Sequence, residues 1–225
     1  MRSMIPKRGL VVSCQALPYE PLYGSHHMAA MARAAGEGGA CGIRANSPED
    51  ISAIREAVGL PIIGLWKRDY KGFDVYITPT LEDAIAVYEA GADIVALDAT
   101  SRPRPDGLEL AEVLRELKKR GIPVMADIST YEEGVNAAAL GADYVSTTLS
   151  GYTPYSQTKL PNLDLVEQLS QVLEVPTVAE GGVSTPEEAR SALDRGAHFV
   201  VVGSAITRPQ LITAQFAASL GGFDA

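Results

Sequence analysis

Residues 91–98 read Gly91-Ala92-Asp93-Ile94-Val95-Ala96-Leu97-Asp98: a glycine turn that runs straight into a short apolar stretch. The same opening returns at Gly141-Ala142-Asp143 and at Gly196-Ala197-His198, with a looser copy at Gly39-Ala40. Each predicts a left-handed helix C-cap with a strand immediately behind it. The intervening apolar stretches follow proline instead, at Pro61, Pro123 and Pro176. Proline fixes φ at a strand start, where no ladder donor is needed. The two kinds of punctuation alternate, which gives a period of two strands. Such a period is expected when odd and even strands of a closed barrel fill alternate layers of its core.

Outward from these marks the chain divides into eight strand–helix units. The expected strands are Leu10–Ala16, Ala40–Arg44, Pro61–Trp66, Ile94–Leu97, Pro123–Ala126, Tyr144–Thr147, Pro176–Ala179 and His198–Val202. The expected helices are His26–Ala35, one opening at Ser47-Pro48-Glu49-Asp50, Leu81–Ala90, Leu108–Lys119, Thr130–Leu140, Leu163–Leu173, one opening at Thr185-Pro186-Glu187-Glu188, and Pro209–Ala218. Ser47 and Thr185 are N-caps, Pro48 suits the first helical position, and Glu188 reaches back to Thr185, with Asp50 a shorter version of the same device. Asp69–Phe73 is a polar loop and a candidate lid, and Val75–Ile77 is a minor extended piece before a cap at Thr80. Together these predict an α/β fold, a (β/α)8 TIM barrel, as a single domain over residues 1–225. An open doubly wound sheet is the alternative, but it does not require eight similar units in this regular phase.

With 225 residues, 46% of them hydrophobic, the chain has enough apolar mass for one large core. Its formal net charge of -9 argues against a broad nucleic-acid footprint, which needs clustered Lys and Arg. A small anionic ligand, needing only a local positive site, is not excluded. No apolar run is long enough to span a membrane. The apolar stretch near the N-terminus is short and interrupted by Gln15, so a first barrel strand explains it better than a signal peptide. Cys14 and Cys41 form no framework and no CxxC pair, so both are expected as buried thiols of a cytoplasmic protein.

In a barrel the residues at the C-terminal strand ends converge on one mouth. Gln15, Arg44, Lys67, Asp98, Asp127 and Glu180 all stand there, polar groups placed in order behind apolar runs. Glu180-Gly181-Gly182-Val183 follows the seventh strand and Val202-Gly203-Ser204-Ala205 the eighth. In those two loops Gly181, Gly182, Gly203 and Ser204 let backbone N–H groups approach an anion, and Arg208 adds a charge. The pattern is that of a ribulose-phosphate-binding barrel. Lys67 leaves the apolar pair Leu65-Trp66, so desolvation and a positive field from Arg44 and Arg208 would free its amine as a base, with Glu180 as partner. Asp127 orients Lys67 or a substrate hydroxyl, and Asp98 does the same or anchors loops. His26, His27 and His198 belong to no ligand cluster, and no metal is expected. Tyr152, Tyr155 and Lys159 either cover a substrate or form surface.

Seven stretches, in order along nearly the whole chain, give a family resemblance. They are Ser13-Cys14-Gln15-Ala16, Gly42-Ile43-Arg44-Ala45, Trp66-Lys67-Arg68-Asp69-Tyr70, Ile77-Thr78-Pro79-Thr80, Ala96-Leu97-Asp98-Ala99-Thr100, Met125-Ala126-Asp127-Ile128-Ser129-Thr130 and Ala179-Glu180-Gly181-Gly182. With them the sequence resembles the N-acetylmannosamine-6-phosphate 2-epimerase family. The resemblance implies interconversion of N-acetylmannosamine 6-phosphate and N-acetylglucosamine 6-phosphate in sialic-acid breakdown, without a cofactor, in a homodimer. It implies Lys67 and Glu180 as catalytic residues, and Gln15, Arg44, Asp127 and Arg208 as substrate contacts. Two rivals are another phosphosugar isomerase or epimerase on the same barrel, and a non-catalytic sugar-phosphate sensor, which would have no need of a base.

Overall fold

The computed structural model describes residues 5–221. Its elements run β1 Gly9–Cys14, α1 Ser25–Glu37, β2 Gly42–Asn46, α2 Pro48–Ala57, β3 Ile62–Leu65, α3 Leu81–Glu89, β4 Ile94–Asp98, α4 Leu110–Lys119 and β5 Val124–Asp127. They continue with α5 Tyr131–Ala139, β6 Tyr144–Ser146, α6 Leu163–Val172, β7 Thr177–Ala179, α7 Pro186–Asp194, β8 Phe199–Val202, α8 Ser204–Thr207 and α9 Pro209–Ser219. The eight parallel strands close into a barrel in chain order, with β8 hydrogen-bonded to β1 at Val201 and Val11.

Strand residues alternate between two apolar compartments. In β4, Ile94 and Ala96 join the cluster inside the barrel, while Val95 and Leu97 pack outward against the helices. Both faces are therefore dry, which is why the strands read as unbroken apolar runs. Each fully buried aliphatic side chain contributes about 1.5–3 kcal/mol. Gly64 in β3 lets side chains of α2 and α3 pack closely against the strand. A Cβ there would stand 2.6 Å from Ala92 and 2.8 Å from Ile51.

The two-strand period has a physical origin at the N-terminal rim. Asp93, just before β4, accepts the Ile62 N–H of β3 at 2.9 Å and also pairs with Arg55. Asp143, just before β6, accepts the Val124 N–H of β5 at 2.8 Å. The aspartate of each Gly-Ala-Asp thus closes the strand opened by the preceding proline. In the third copy His198 stands in place of aspartate, and the neighbouring Thr177 hydroxyl has no partner.

Several boundaries differ from expectation. Ala40 donates its N–H to Ala35 in the C-cap of α1, so β2 begins at Gly42 and Arg44 lies within it rather than at its end. Strand β1 stops at Cys14, leaving Gln15 just beyond the ladder. Capping boxes form at Thr80/Asp83, Thr130/Glu133 and Thr185/Glu188. The box at Ser47 is only half made: its hydroxyl accepts the Asp50 N–H, but the Asp50 carboxylate turns to Ser25. Cys14 is buried, whereas Cys41 is only partly so. A four-residue helix, α8, precedes the expected final helix, so the described residues hold nine α-helices rather than eight. No helix among the described residues is long and apolar enough to cross a membrane.

Candidate active site

A cavity of about 410 Å³ opens at the C-terminal mouth. Its walls include Gln15, Arg44, Lys67 and Glu180, together with Gly181, Gly182, Gly203, Ser204 and Arg208. Strand order explains the gathering. Arg44 occupies an inward position of β2 beside Ser13 and Ile63, and the other residues follow behind β1, β3, β7 and β8.

Arg44, 2% exposed, holds the centre. One terminal nitrogen bonds Glu180 Oε1 and the other bonds Asp127 Oδ2, so a single guanidinium fork spans two carboxylates. Burial works against the Arg44 charge, but Asp127 and Glu180 outweigh it and its pKa is raised. Asp127 is wholly buried, at the end of β5. It is pushed up to about 7 by burial, with Glu180 adding to the push and Arg44 opposing it. Its described contacts are Arg44 and the Thr148 hydroxyl, and it does not line the cavity.

Lys67, behind β3, lines the same cavity as Arg44 and Glu180. Asn46 Oδ1 accepts its backbone N–H at 2.7 Å, and an isolated antiparallel bridge joins it to Ile77, fixing the backbone at both sides. Among the described residues no carboxylate pairs with its amine. Burial, then the Arg44 charge, lower its pKa from 10.5 to about 8, with Glu180 pulling the other way. With Arg44 and Lys67 cationic and both carboxylates ionised, the group is neutral. Removing one proton leaves it with a single negative charge.

At the glycine loops Gly181 and Gly182 take φ of 104° and 73°. A Cβ on Gly182 would stand 2.4 Å from Leu160, so that position is closed to a side chain on two counts. Gly203 turns the chain from β8 into α8. Arg208 reaches Ser204 Oγ at 2.7 Å through Nη1. Its Nε and Nη2 edge is held by Glu20, at 2.5 and 2.9 Å. Glu20 lies in the loop after β1 and was not singled out from the sequence. Its own carboxylate also accepts the Leu17 N–H, which ties the loop in place.

Other expected residues fall into place or drop out. Asp98 accepts from Thr100 and Arg102 and serves as a loop anchor. Tyr152, 56% exposed, lines the cavity, but Tyr155 bonds Glu133 instead and Lys159 is not in the wall. The candidate lid is tied down: Arg68 and Tyr70 both bond Asp83 at the start of α3. Sequence reading passed over Tyr76 and Thr148 in the wall, and Thr147 beside it. Gln15 donates to Ser13 Oγ at 2.8 Å while its Oε1 has no partner, and Arg44 Nε is likewise unpartnered.

Comparison with known proteins follows the same line. The family described as "Putative N-acetylmannosamine-6-phosphate epimerase" matches residues 28–221. A protein of Caldanaerobacter subterraneus subsp. tengcongensis, named "Putative N-acetylmannosamine-6-phosphate 2-epimerase", is 55% identical over 213 residues, covering 93% of this chain and 90% of its own. The solved N-acetylmannosamine-6-phosphate 2-epimerase of Clostridium perfringens superposes with a TM-score of 0.93 at 47% identity, covering 96% of this chain and 94% of the other. A thiamine phosphate pyrophosphorylase of Pyrococcus furiosus, at 20% identity and a TM-score of 0.61, shares the barrel fold.

Proposed function

Because the chain belongs to the N-acetylmannosamine-6-phosphate epimerase family, we propose that it interconverts N-acetylmannosamine 6-phosphate and N-acetylglucosamine 6-phosphate. The two sugars differ only at C2. Once the ring opens, the C1 carbonyl makes the C2 proton acidic. A base removes that proton to give an enolate, and a proton returned to the opposite face inverts the centre. The observation that carries the reading is an unpaired, pKa-lowered Lys67 amine sharing one cavity with Glu180 and Arg44. At a pKa of about 8, a usable fraction of the amine is neutral near neutral pH.

Lys67 takes the proton from one face and the Glu180 carboxyl gives one to the other; in the reverse direction Glu180 takes the proton and the Lys67 ammonium gives one. Protonating Lys67 just as negative charge builds on the sugar places the enolate beside two cations rather than one. The phosphate sits among Gly181, Gly182, Gly203, Ser204 and Arg208. Its remote binding energy keeps the open chain from drifting. Gln15 Oε1, buried without a partner, suits a substrate hydroxyl or N–H donor.

Turnover in deuterated water, followed by proton NMR, tests the reaction. Two groups predict product deuterated at C2 from the first turnovers, while a single amine crossing the ring would carry some original hydrogen over. Complete absence of C2 exchange with either sugar would end the proposal.

The homodimer and the cytoplasmic setting belong to the same reading. Helix α9 buries none of its residues, and Leu211 and Phe216 on it are exposed. An apolar groove lined by residues of β1, β8, α7 and α8 is also open. A second copy covering these surfaces would double the mass seen in sedimentation.

A further inference from the structure

Glu180 is gripped from one side by a single 3-10 turn, Thr147–Leu149, that directly follows β6. The Thr147 hydroxyl holds its backbone twice, donating to the Glu180 carbonyl at 2.9 Å and accepting the Glu180 N–H at 3.2 Å. The Thr148 hydroxyl meets its side chain, 3.1 Å from Oε2. That same hydroxyl lies 2.7 Å from Asp127 Oδ1 and 2.8 Å from the buried Ser146 hydroxyl. The two carboxylates are therefore bridged on both flanks: Arg44 joins one oxygen of each, and Thr148 joins the other. The bridges differ in capacity. Arg44 has a separate N–H for each carboxylate, whereas a threonine hydroxyl has one proton for two acceptors.

The geometry points to Thr148 as a positioning residue that couples Glu180 to Asp127, so that the Glu180 carboxyl keeps its aim at the sugar. This rests on the assignment of Glu180 made above. With both carboxylates ionised, the hydroxyl donates to one while the other relies on Arg44. When one carboxyl carries a proton, that proton goes to the Thr148 oxygen and the Thr148 proton goes to the other carboxylate. The other charged or titratable groups facing the pair are Arg44 from β2, Lys67 behind β3, Asp98 at the end of β4, and Tyr76 and Tyr152 in the wall. Burial and the Glu180 charge already hold Asp127 up at about 7, and the Thr148 bond is among the forces pulling it down.

The test is the pH profile of kcat/KM for Thr148→Val and Thr148→Ser. Valine keeps the shape of the side chain and removes the hydroxyl. A hydrogen bond to a charged group is worth about 1.5–3 kcal/mol, which corresponds to roughly one to two pH units. The acid limb of Thr148→Val should therefore steepen, its Asp127 component moving upward by about one unit, with KM little changed and the component set by the Lys67 base in place. The rate at the acid end then falls about tenfold more than the rate at pH 8. Thr148→Ser restores the bridge and the wild-type limb. A Thr148→Val profile lowered equally at every pH, or a Thr148→Ser limb displaced as far as the valine one, would reduce the residue to packing and overturn the proposal. Should valine misfold, Thr148→Ala poses the same question without a branched side chain to accommodate. If the wild-type protein exchanges no C2 proton at all, the epimerase reading fails instead, and the two failures are told apart.

Discussion

The two ends of the barrel carry similar side chains to opposite effect. At the N-terminal rim, Asp93 and Asp143 spend their carboxylates on the first N–H groups of β3 and β5. At the C-terminal mouth, Asp127 and Glu180 share one guanidinium, and Lys67 lines the same cavity as Glu180. Gln15 Oε1 and Arg44 Nε are buried there with no partner. Every polar group taken out of water costs free energy unless it is bonded. The rim has settled that cost within the chain, apart from the Thr177 hydroxyl beside the third, aspartate-free repeat. The mouth holds it open for a molecule from outside. Polar side chains at the rim thus stabilise the fold, and those at the mouth are available for chemistry.

Substitutions at the two ends should separate accordingly, and the largest effect is expected at Lys67. Lys67→Met should lower kcat by about 10³-fold or more while leaving phosphate binding close to normal. It should also raise stability. Native Lys67 titrates near 8 against 10.5 for an ordinary lysine, so unfolding takes up a proton between those values and wild-type stability rises with pH across that window. Methionine has no charge to bury, so thermal melts should show its advantage greatest below pH 8 and shrinking towards pH 10.5. A variant both inactive and less stable at pH 7 would break the comparison.

Next in size is Arg208→Ala. Loss of charge-assisted bonds worth about 1.5–3 kcal/mol should raise KM about 10- to 100-fold for the phosphorylated sugar, with a smaller change in kcat. Steady-state kinetics on phosphorylated and unphosphorylated sugar sharpens the contrast, because only the former should be affected. The smallest effect belongs to the rim. Asp143→Ala leaves the Val124 N–H without its partner and should cost about 1–2 kcal/mol, a fall in Tm of roughly 2–4 °C per kcal/mol for a chain of this size. Its kcat should match the wild type. A matching loss of kcat would show the two ends to be less independent than their hydrogen bonding indicates.

Much of this division was legible in the sequence. Glycine and proline set the strand starts because each imposes a backbone state that few other residues share. Once the barrel was assumed, the position behind each strand placed Gln15, Lys67 and Glu180 at one cavity. What the sequence withheld has a common cause. Helix α8 spans only Ser204–Thr207, too short to display a helical period. Thr148 and Glu20 act through the groups they touch, and nothing in Thr147-Thr148 or in Pro18-Tyr19-Glu20 announces a contact with Glu180 or Arg208 far along the chain. Asp98 and Asp127 both end apolar strands and read alike, yet one anchors a loop and the other holds Arg44, because only folding decides which neighbour each carboxylate meets.

The rim aspartates also bear on how the barrel can be divided. Each one ties a strand to the strand before it, so β3 with β4 and β5 with β6 are latched couples, while among the described residues no such latch crosses from β4 to β5. A backbone break at Gly121, between couples, leaves both latches inside their own fragments. A break at Gly141 parts Asp143 from the Val124 N–H it serves, and each fragment then carries an exposed half of a bond that only reassembly can restore. A seam after β4 therefore spares both latches, so circular permutants and split halves opened there begin with their edges already finished.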